Sequence, residues 1–301
     1  DALQDYLGVP LQNADGSFYD RNLDADYLSW IGTLRQAHEA GYIPDDAFAD
    51  DGTVFEEKIK TGRYATIFLN GLAQMGGAMQ TWLTAHPDSE YIAVQGPAST
   101  VGNKPTLNQS GITGWMVNYI SKKAKDPVKA MQVFTYLQSE YGQMLTTFGI
   151  EGETFTWTPD RKVLLLPDAA KMKSDDNERF KQEYRLQEFI FFGHDRYKAL
   201  SDPSMLVKAT VQPMEWGAKY LVPHFILERA DPASGTVEAR NLTAINAQWS
   251  TTLVSMIRGS QADEQTTLQA YKDFLAANGW DAIVKVRTEN MAQARKLFGI
   301  N

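Results

Sequence analysis

Apolar positions along the chain switch between helical and strand spacing, and each switch predicts an element. Leu28, Ile31 and Leu34 share one helical face, with Asn22 placed to cap the start and Gly41 to stop it. A shorter helix is predicted around Phe55 and Ile59, ending at Gly62. Residues 63–69, Arg-Tyr-Ala-Thr-Ile-Phe-Leu, read as a buried strand that ends at the Asn70-Gly71 turn. A helix to about Leu83 follows, then a second strand over residues 91–94, closed by Gly96-Pro97. Asn13 to Ser17 form a turn on Asp15-Gly16.

The middle of the chain continues the alternation. Residues 98–110 are a loop rich in Gly, Pro, Asn and Ser, and residues 115–120 a third strand. Asp126-Pro127 open a helix carrying Ala130, Val133, Phe134 and Leu137, because Asp caps a helix and Pro suits its first turn. Gly149 ends the next helix, and residues 154–166 alternate as a hairpin around Pro159-Asp160. From about Asp175 the pattern is mainly helical, with a cap signal at Asp202-Pro203 and a stop near Gly259. Early alternation of strand and helix followed by helices predicts an α/β, helix-rich architecture without internal repeats.

Composition removes several function classes. The 301 residues suffice for one large core or two smaller ones. A net charge of -8, with both signs interspersed, argues against nucleic acid and supplies no basic patch for anionic membranes. With 0 cysteines there are no disulfides, thiolate zinc sites, iron–sulfur clusters or cysteine nucleophiles. No apolar run approaches the roughly 20 residues that span a bilayer. The first residue is Asp1 rather than Met, so an upstream portion is expected to have been removed.

One ordered series of motifs is specific. The Asp15-Gly16 turn and a helix ending in Ala40-Gly41-Tyr-Ile-Pro44 are followed by Phe55-Glu-Glu-Lys-Ile59 and by Gly62 through Asn70-Gly71. Then come Tyr91 to Pro97, Gly111-Ile-Thr-Gly-Trp-Met-Val117 and Lys125-Asp-Pro-Val-Lys-Ala-Met131. This order resembles the family 1 extracellular solute-binding proteins. Residues 141–157 are similar to the lipoprotein-type subgroup that includes alginate- and pectin-oligosaccharide-binding proteins. The resemblance covers most of residues 10–160 and weakens toward the end.

The resemblance implies a periplasmic-binding-protein-like (type II) architecture, two α/β lobes that close on a ligand by hinge bending. It implies no catalysis, no metal and no cofactor. The partners it implies are a carbohydrate, probed as an oligosaccharide, and the permease of an ABC transporter. The protein would be an exported monomer at the extracellular face or in the periplasm, touching membrane only through a lipid anchor on an N-terminal portion. The family opens with βα units of lobe 1, whereas this sequence opens inside lobe 2, so a C-terminal fragment is expected. Residues 1–105 would be the first part of lobe 2, 106–170 a lobe 1 segment, and 171–301 a mainly helical return to lobe 2.

Sugar sites stack aromatic rings on the C–H faces of pyranoses and bond the hydroxyls with amides and charged groups. With 7 Trp, 13 Tyr and 14 Phe the chain has material for such a site, and equally for a core. Asn70 ends a strand ahead of a helix, where ligands meet α/β sheets, although a helix cap is the plain alternative. The family often has Trp just after this turn; Leu72-Ala73 stand here instead. Gln74 lies in the following helical turn, Gln109 and Ser110 in the loop between lobes, and Trp115 just beyond it. Trp157 lies on the hairpin, and Trp216 follows Pro213 at a helix edge. Trp30, Trp82, Trp249 and Trp280 sit in helical patterns and are expected to pack.

The four histidines lack metal-ligand spacing. Asp24/Asp26 and Asp45/Asp46 lack the alternating oxygens and central glycine of a calcium loop, so helix-start electrostatics explains them. Phosphate-loop, zinc-protease, nucleophile-elbow and dinucleotide motifs are absent. A glycosidase reading would rest on Glu151 and Glu153. A third reading is a receptor for a peptide or another polar solute. Arg179, Lys181 and Arg185 could serve an anion there, but the interspersed Glu178 and Glu183 make a solvated face.

Overall fold

Several helix starts in this chain are fixed by short acidic and hydroxyl side chains that take the first free amides. In the computed structural model, which describes residues 2–68, 72–109, 118–184, 197, 200–202, 205 and 207–300, α1 (Ala2–Tyr6) is followed by a 3₁₀ turn, Arg21–Leu23, and α2 (Ala25–Glu39). The cap of α2 is Asp24, whose carboxylate accepts from the Tyr27 amide at 3.0 Å. Asn22, the expected cap, lies inside the 3₁₀ turn, where its own amide donates to Asp20 at 3.1 Å. Gly41 stops α2 at φ 78°, and Tyr42 donates back to Ala37 at 2.9 Å.

Asp51 caps α3 (Gly52–Lys60), Gly62 follows at φ 64°, and α4 (Leu72–Ala85) comes next. Asp126 caps α5 (Pro127–Gln138), accepting from the Lys129 amide at 2.8 Å. Gly149, at φ 88°, ends α6 (Glu140–Phe148). The expected hairpin is β2 (Phe155–Trp157) paired antiparallel with β3 (Val163–Leu165), joined by a tight loop in which Thr158 donates to Lys162 at 2.7 Å. Short β1 (Leu107–Asn108) pairs in parallel with β4 (Leu221–Val222). The remaining helices are α7 (Pro167–Asp175), α8 (Asn177–Tyr184), α9 (Lys208–Gly217), α10 (Phe225–Glu228), α11 (Val237–Arg258), α12 (Gln261–Ala277) and α13 (Trp280–Phe298).

Two expected strands are corrected. Residues 63–68 and 91–94 belong to no strand, and Phe68, Ile92 and Val94 are exposed. Their composition suits a strand, but a strand exists only with a hydrogen-bonded neighbour. Side chains serve them instead: the Tyr91 hydroxyl donates to the Tyr64 carbonyl at 2.6 Å, and Gln212 takes both polar groups of the Ala93 backbone. Within residues 115–120, residues 118–120 form no element and 115–117 lie outside the described residues.

The chain divides into two compact units. Unit 1, Asp1–Gly111 with Ala209–Asn301, is built on a helical core of α1, α2, α11, α12 and α13. Leu7, Tyr27, Ile31, Ile245, Met256, Tyr271 and Ile283 are buried there. Each such side chain contributes about 1.5–3 kcal/mol through its removal from water. Buried Arg35 of α2 pairs with Glu264 of α12 and ties the helices together. A smaller cluster in unit 1 packs Ile59, Ala78, Met79, Leu83 and Ala209. Unit 2, Ile112–Lys208, centres on Met144, Phe148, Phe155 and Val163, where α6 meets the hairpin.

Candidate functional site

Three pieces of unit 1 that are far apart in sequence meet at one aromatic corner. Tyr6 is the last residue of α1. Its ring stacks on Trp216 of α9, with centroids 5.8 Å apart and planes at 29°, and meets Phe68 edge-on at 6.2 Å. After Gly217 the chain turns through a 3₁₀ step, Ala218–Tyr220, which brings the Tyr220 ring to 4.9 Å from Trp216. Tyr6, Trp216 and Tyr220 are each half-buried, and Phe68 is exposed. Partial burial pushes the Tyr6 hydroxyl above its ordinary pKa, so the ring is neutral at physiological pH.

Backbone bonds lock the corner together. β4 follows Tyr220 directly and pairs with β1, and the Gln109 amide donates to the Val222 carbonyl at 3.0 Å. The Thr106 amide donates to Asp5 at 2.8 Å, which fixes the end of α1 beside β1. Gly96 lies against Tyr6; a Cβ there would stand 2.9 Å from the Tyr6 ring. Gln109, exposed, sits two residues before unit 1 hands the chain over at Gly111, and α9 opens where unit 1 resumes at Ala209. Half-exposed rings of this kind offer an apolar platform with phenol hydroxyls at its edge.

Of the residues singled out from sequence, Trp216 falls at this corner, and Gln109 follows β1 with its amide bonded to Val222. Asn70, Ser110 and Trp115 lie outside the described residues, as does the side chain of Gln74, whose backbone is in the first turn of α4. Phe68, two residues before Asn70, reaches the corner. Trp157 lies in unit 2, packed edge-on against Phe155 at 5.9 Å, with the Arg161 guanidinium 4.4 Å above its ring. Sequence reasoning missed Tyr6 and Tyr220. Tyr220 carried a signal, since it stands four residues after Trp216; Tyr6 carried none, because its neighbour is more than 200 residues away.

The other candidates have local explanations. Asp24 accepts from Tyr19 at 2.7 Å besides capping α2, and Asp26 accepts from the Thr100 amide at 3.0 Å. Asp45 meets His38 and Arg258, and Asp46 meets Lys58 at 3.1 Å. Among the described residues no three His, Asp or Glu side chains gather to hold a metal. Glu151 and Glu153 are exposed on the turn into β2. Arg179 pairs with Glu183 at 3.0 Å, one turn along α8. A hollow of about 350 Å³ in unit 1 is lined by Leu11, Gln12, Pro223, His224, Ile226, Leu227 and Met291. It is mostly apolar, with the Gln12 oxygen taken by Arg295 and a His224 ring nitrogen by the Thr106 carbonyl.

No family model and no curated protein matches the sequence. Among solved structures the chain matches a crystal structure of the alginate-binding protein AlgQ2 without calcium ion, at a TM-score of 0.58 and 14% identity. The match covers 97% of this chain and 62% of that one. The chain therefore has the helix-rich α/β fold of a solute-binding protein. It spans less than two thirds of the length of the protein it matches. No helix among the described residues is long and apolar enough to cross a membrane.

Proposed function

We infer that the chain is the carbohydrate-capturing part of a solute-binding protein, exported from the cell and serving an ABC importer. The observation that carries this reading is the half-open Tyr6–Trp216–Tyr220 stack in unit 1. A pyranose presents one face of C–H bonds, which lies flat on such a ring, while its equatorial hydroxyls reach sideways toward amides. Trp216 is the platform, Tyr6 and Tyr220 flank it, and Gln109 bonds hydroxyls. The likeness to an alginate-binding protein supports a sugar over a peptide. The glycosidase alternative would rest on Glu151 and Glu153, both exposed on the turn into β2.

In this reading Asn70, Gln74, Ser110, Trp115 and Trp157 are further ligand contacts. Residues 1–105 and 171–301 serve lobe 2, and 106–170 lobe 1. The liganded monomer docks on a membrane permease, at the extracellular face of the cell membrane or in the periplasm. The test is a tryptophan-fluorescence titration with a panel of oligosaccharides, alginate fragments included, on this chain and on the full gene product. A saturable shift with one glycan that Trp216→Ala abolishes is the expected result. No shift in either form with any glycan overturns the sugar assignment.

A further inference from the structure

Besides the backbone bonds between β1, β4 and α1, one side chain ties the segment around residues 91–96 to helix α9. The Gln212 carboxamide oxygen accepts from the Ala93 amide at 2.7 Å, and its nitrogen donates to the Ala93 carbonyl at 2.9 Å. A residue that exchanges both backbone bonds with one neighbour is the unit of an antiparallel ladder. Gln212 therefore acts as a single rung, supplied by a side chain to a segment that has no strand partner among the described residues.

The contacts close a loop. Gln212 holds Ala93; three residues on, Gly96 abuts Tyr6; Tyr6 stacks on Trp216; and Trp216 lies one helical turn after Gln212 on α9. A second glutamine sets the start of the helix, since Gln80 of α4 accepts from the Ala209 amide at 3.1 Å. The Thr210 methyl also presses on Gly76, where a Cβ would stand at 2.5 Å. With the helix start fixed and the segment held by one rung, the spacing that keeps Tyr6 flat on Trp216 passes through Gln212. The geometry points to Gln212 as a positioning residue for the Tyr6–Trp216 platform, and hence a determinant of sugar affinity that need not touch sugar. The affinity part rests on the carbohydrate reading above; the positioning part does not.

Gln212→Met keeps side-chain length and helix propensity and removes both bonds. Gln212→Glu keeps the acceptor for the Ala93 amide and loses the donor. The expected result is a graded loss of the near-ultraviolet circular dichroism band of the stacked pair, larger in Gln212→Met, with Trp216→Phe used to assign the band. Backbone helicity and the thermal midpoint stay near wild type, because Gln212 is exposed. Kd for the bound oligosaccharide is expected to rise roughly five- to tenfold in Gln212→Met, as for two neutral hydrogen bonds. An unchanged band in both variants overturns the positioning role. If the band falls and no glycan binds even the wild-type chain, the positioning stands and the sugar reading fails. A lost band with unchanged sugar affinity overturns the claim that Gln212 tunes binding.

Discussion

Unit 1 contains two Tyr–Trp–Tyr groups of nearly the same internal geometry. In the helical core, Tyr27 and Trp249 lie 6.2 Å apart and Trp249 and Tyr271 4.9 Å. At the corner, Tyr6 and Trp216 lie 5.8 Å apart and Trp216 and Tyr220 4.9 Å. The first group is sealed: Tyr27 is 0% exposed, Trp249 8% and Tyr271 1%. The second keeps its rings half in solvent. The pairing geometry is common to both, so it does not separate packing from binding. What surrounds the rings does: the helices of the core enclose the first group, whereas a helix end, a turn and a glycine leave the corner group open on one side.

Trp249→Ala tests the sealed group most severely. It should cost about 3–5 kcal/mol of stability by denaturant unfolding, the range for an aromatic ring deleted from a core. Alkaline pH comes next. Burial holds Tyr271 at about 12 against an ordinary 10.0, and raises Tyr27 as well. The neutral phenols are favoured by folding, so this stability is fully present below pH 10 and is lost as pH climbs toward 12 and beyond. The Tyr271 share is on the order of 2–3 kcal/mol. Ultraviolet difference absorbance should show Tyr6 ionising before Tyr271; the reverse order would break the contrast between open and sealed.

Trp216→Ala is expected to reverse the pattern of Trp249→Ala. Its stability loss should stay near 1 kcal/mol, while sugar affinity falls by about 2 kcal/mol, roughly 30-fold in Kd, as for an aromatic anchor. A stability loss as large as that of Trp249→Ala would make the corner a core after all. Gly96→Ala is the mildest probe. The new methyl must displace the Tyr6 ring, and we expect about 1 kcal/mol in affinity by isothermal calorimetry with little change in unfolding.

What the sequence made legible was local. Asp126-Pro127, Gly41 and Gly149 announce helix ends because a cap involves residues only a few positions apart, and all three ends fall where they point. Trp249 was readable as a packing residue from its place in a helical pattern, and it is buried. Residues 63–68 and 91–94 misled because strand composition reports a preference for extended backbone, not the presence of a neighbour. The partner of Ala93 turned out to be the Gln212 side chain, 119 residues away. The same limit hid Tyr6. Its setting is created by α9 and Gly96, and nothing within a few residues of Tyr6 signals either.

The discontinuity of unit 1 has a consequence for biosynthesis. Its core joins α2, made early, to α11, α12 and α13, made last, with all of unit 2 translated in between. At about 5–20 residues per second, Tyr27 and Ile31 leave the ribosome on the order of ten seconds or more before Trp249 can cover them. Unit 2 is contiguous and can complete itself during that interval. The nascent chain therefore carries a finished insert between an apolar N-terminal helix that is still waiting and partners that do not yet exist. A holding chaperone that recognises exposed apolar helices would act on α2 during this window, and slowing translation past Ala209 should lengthen its occupancy.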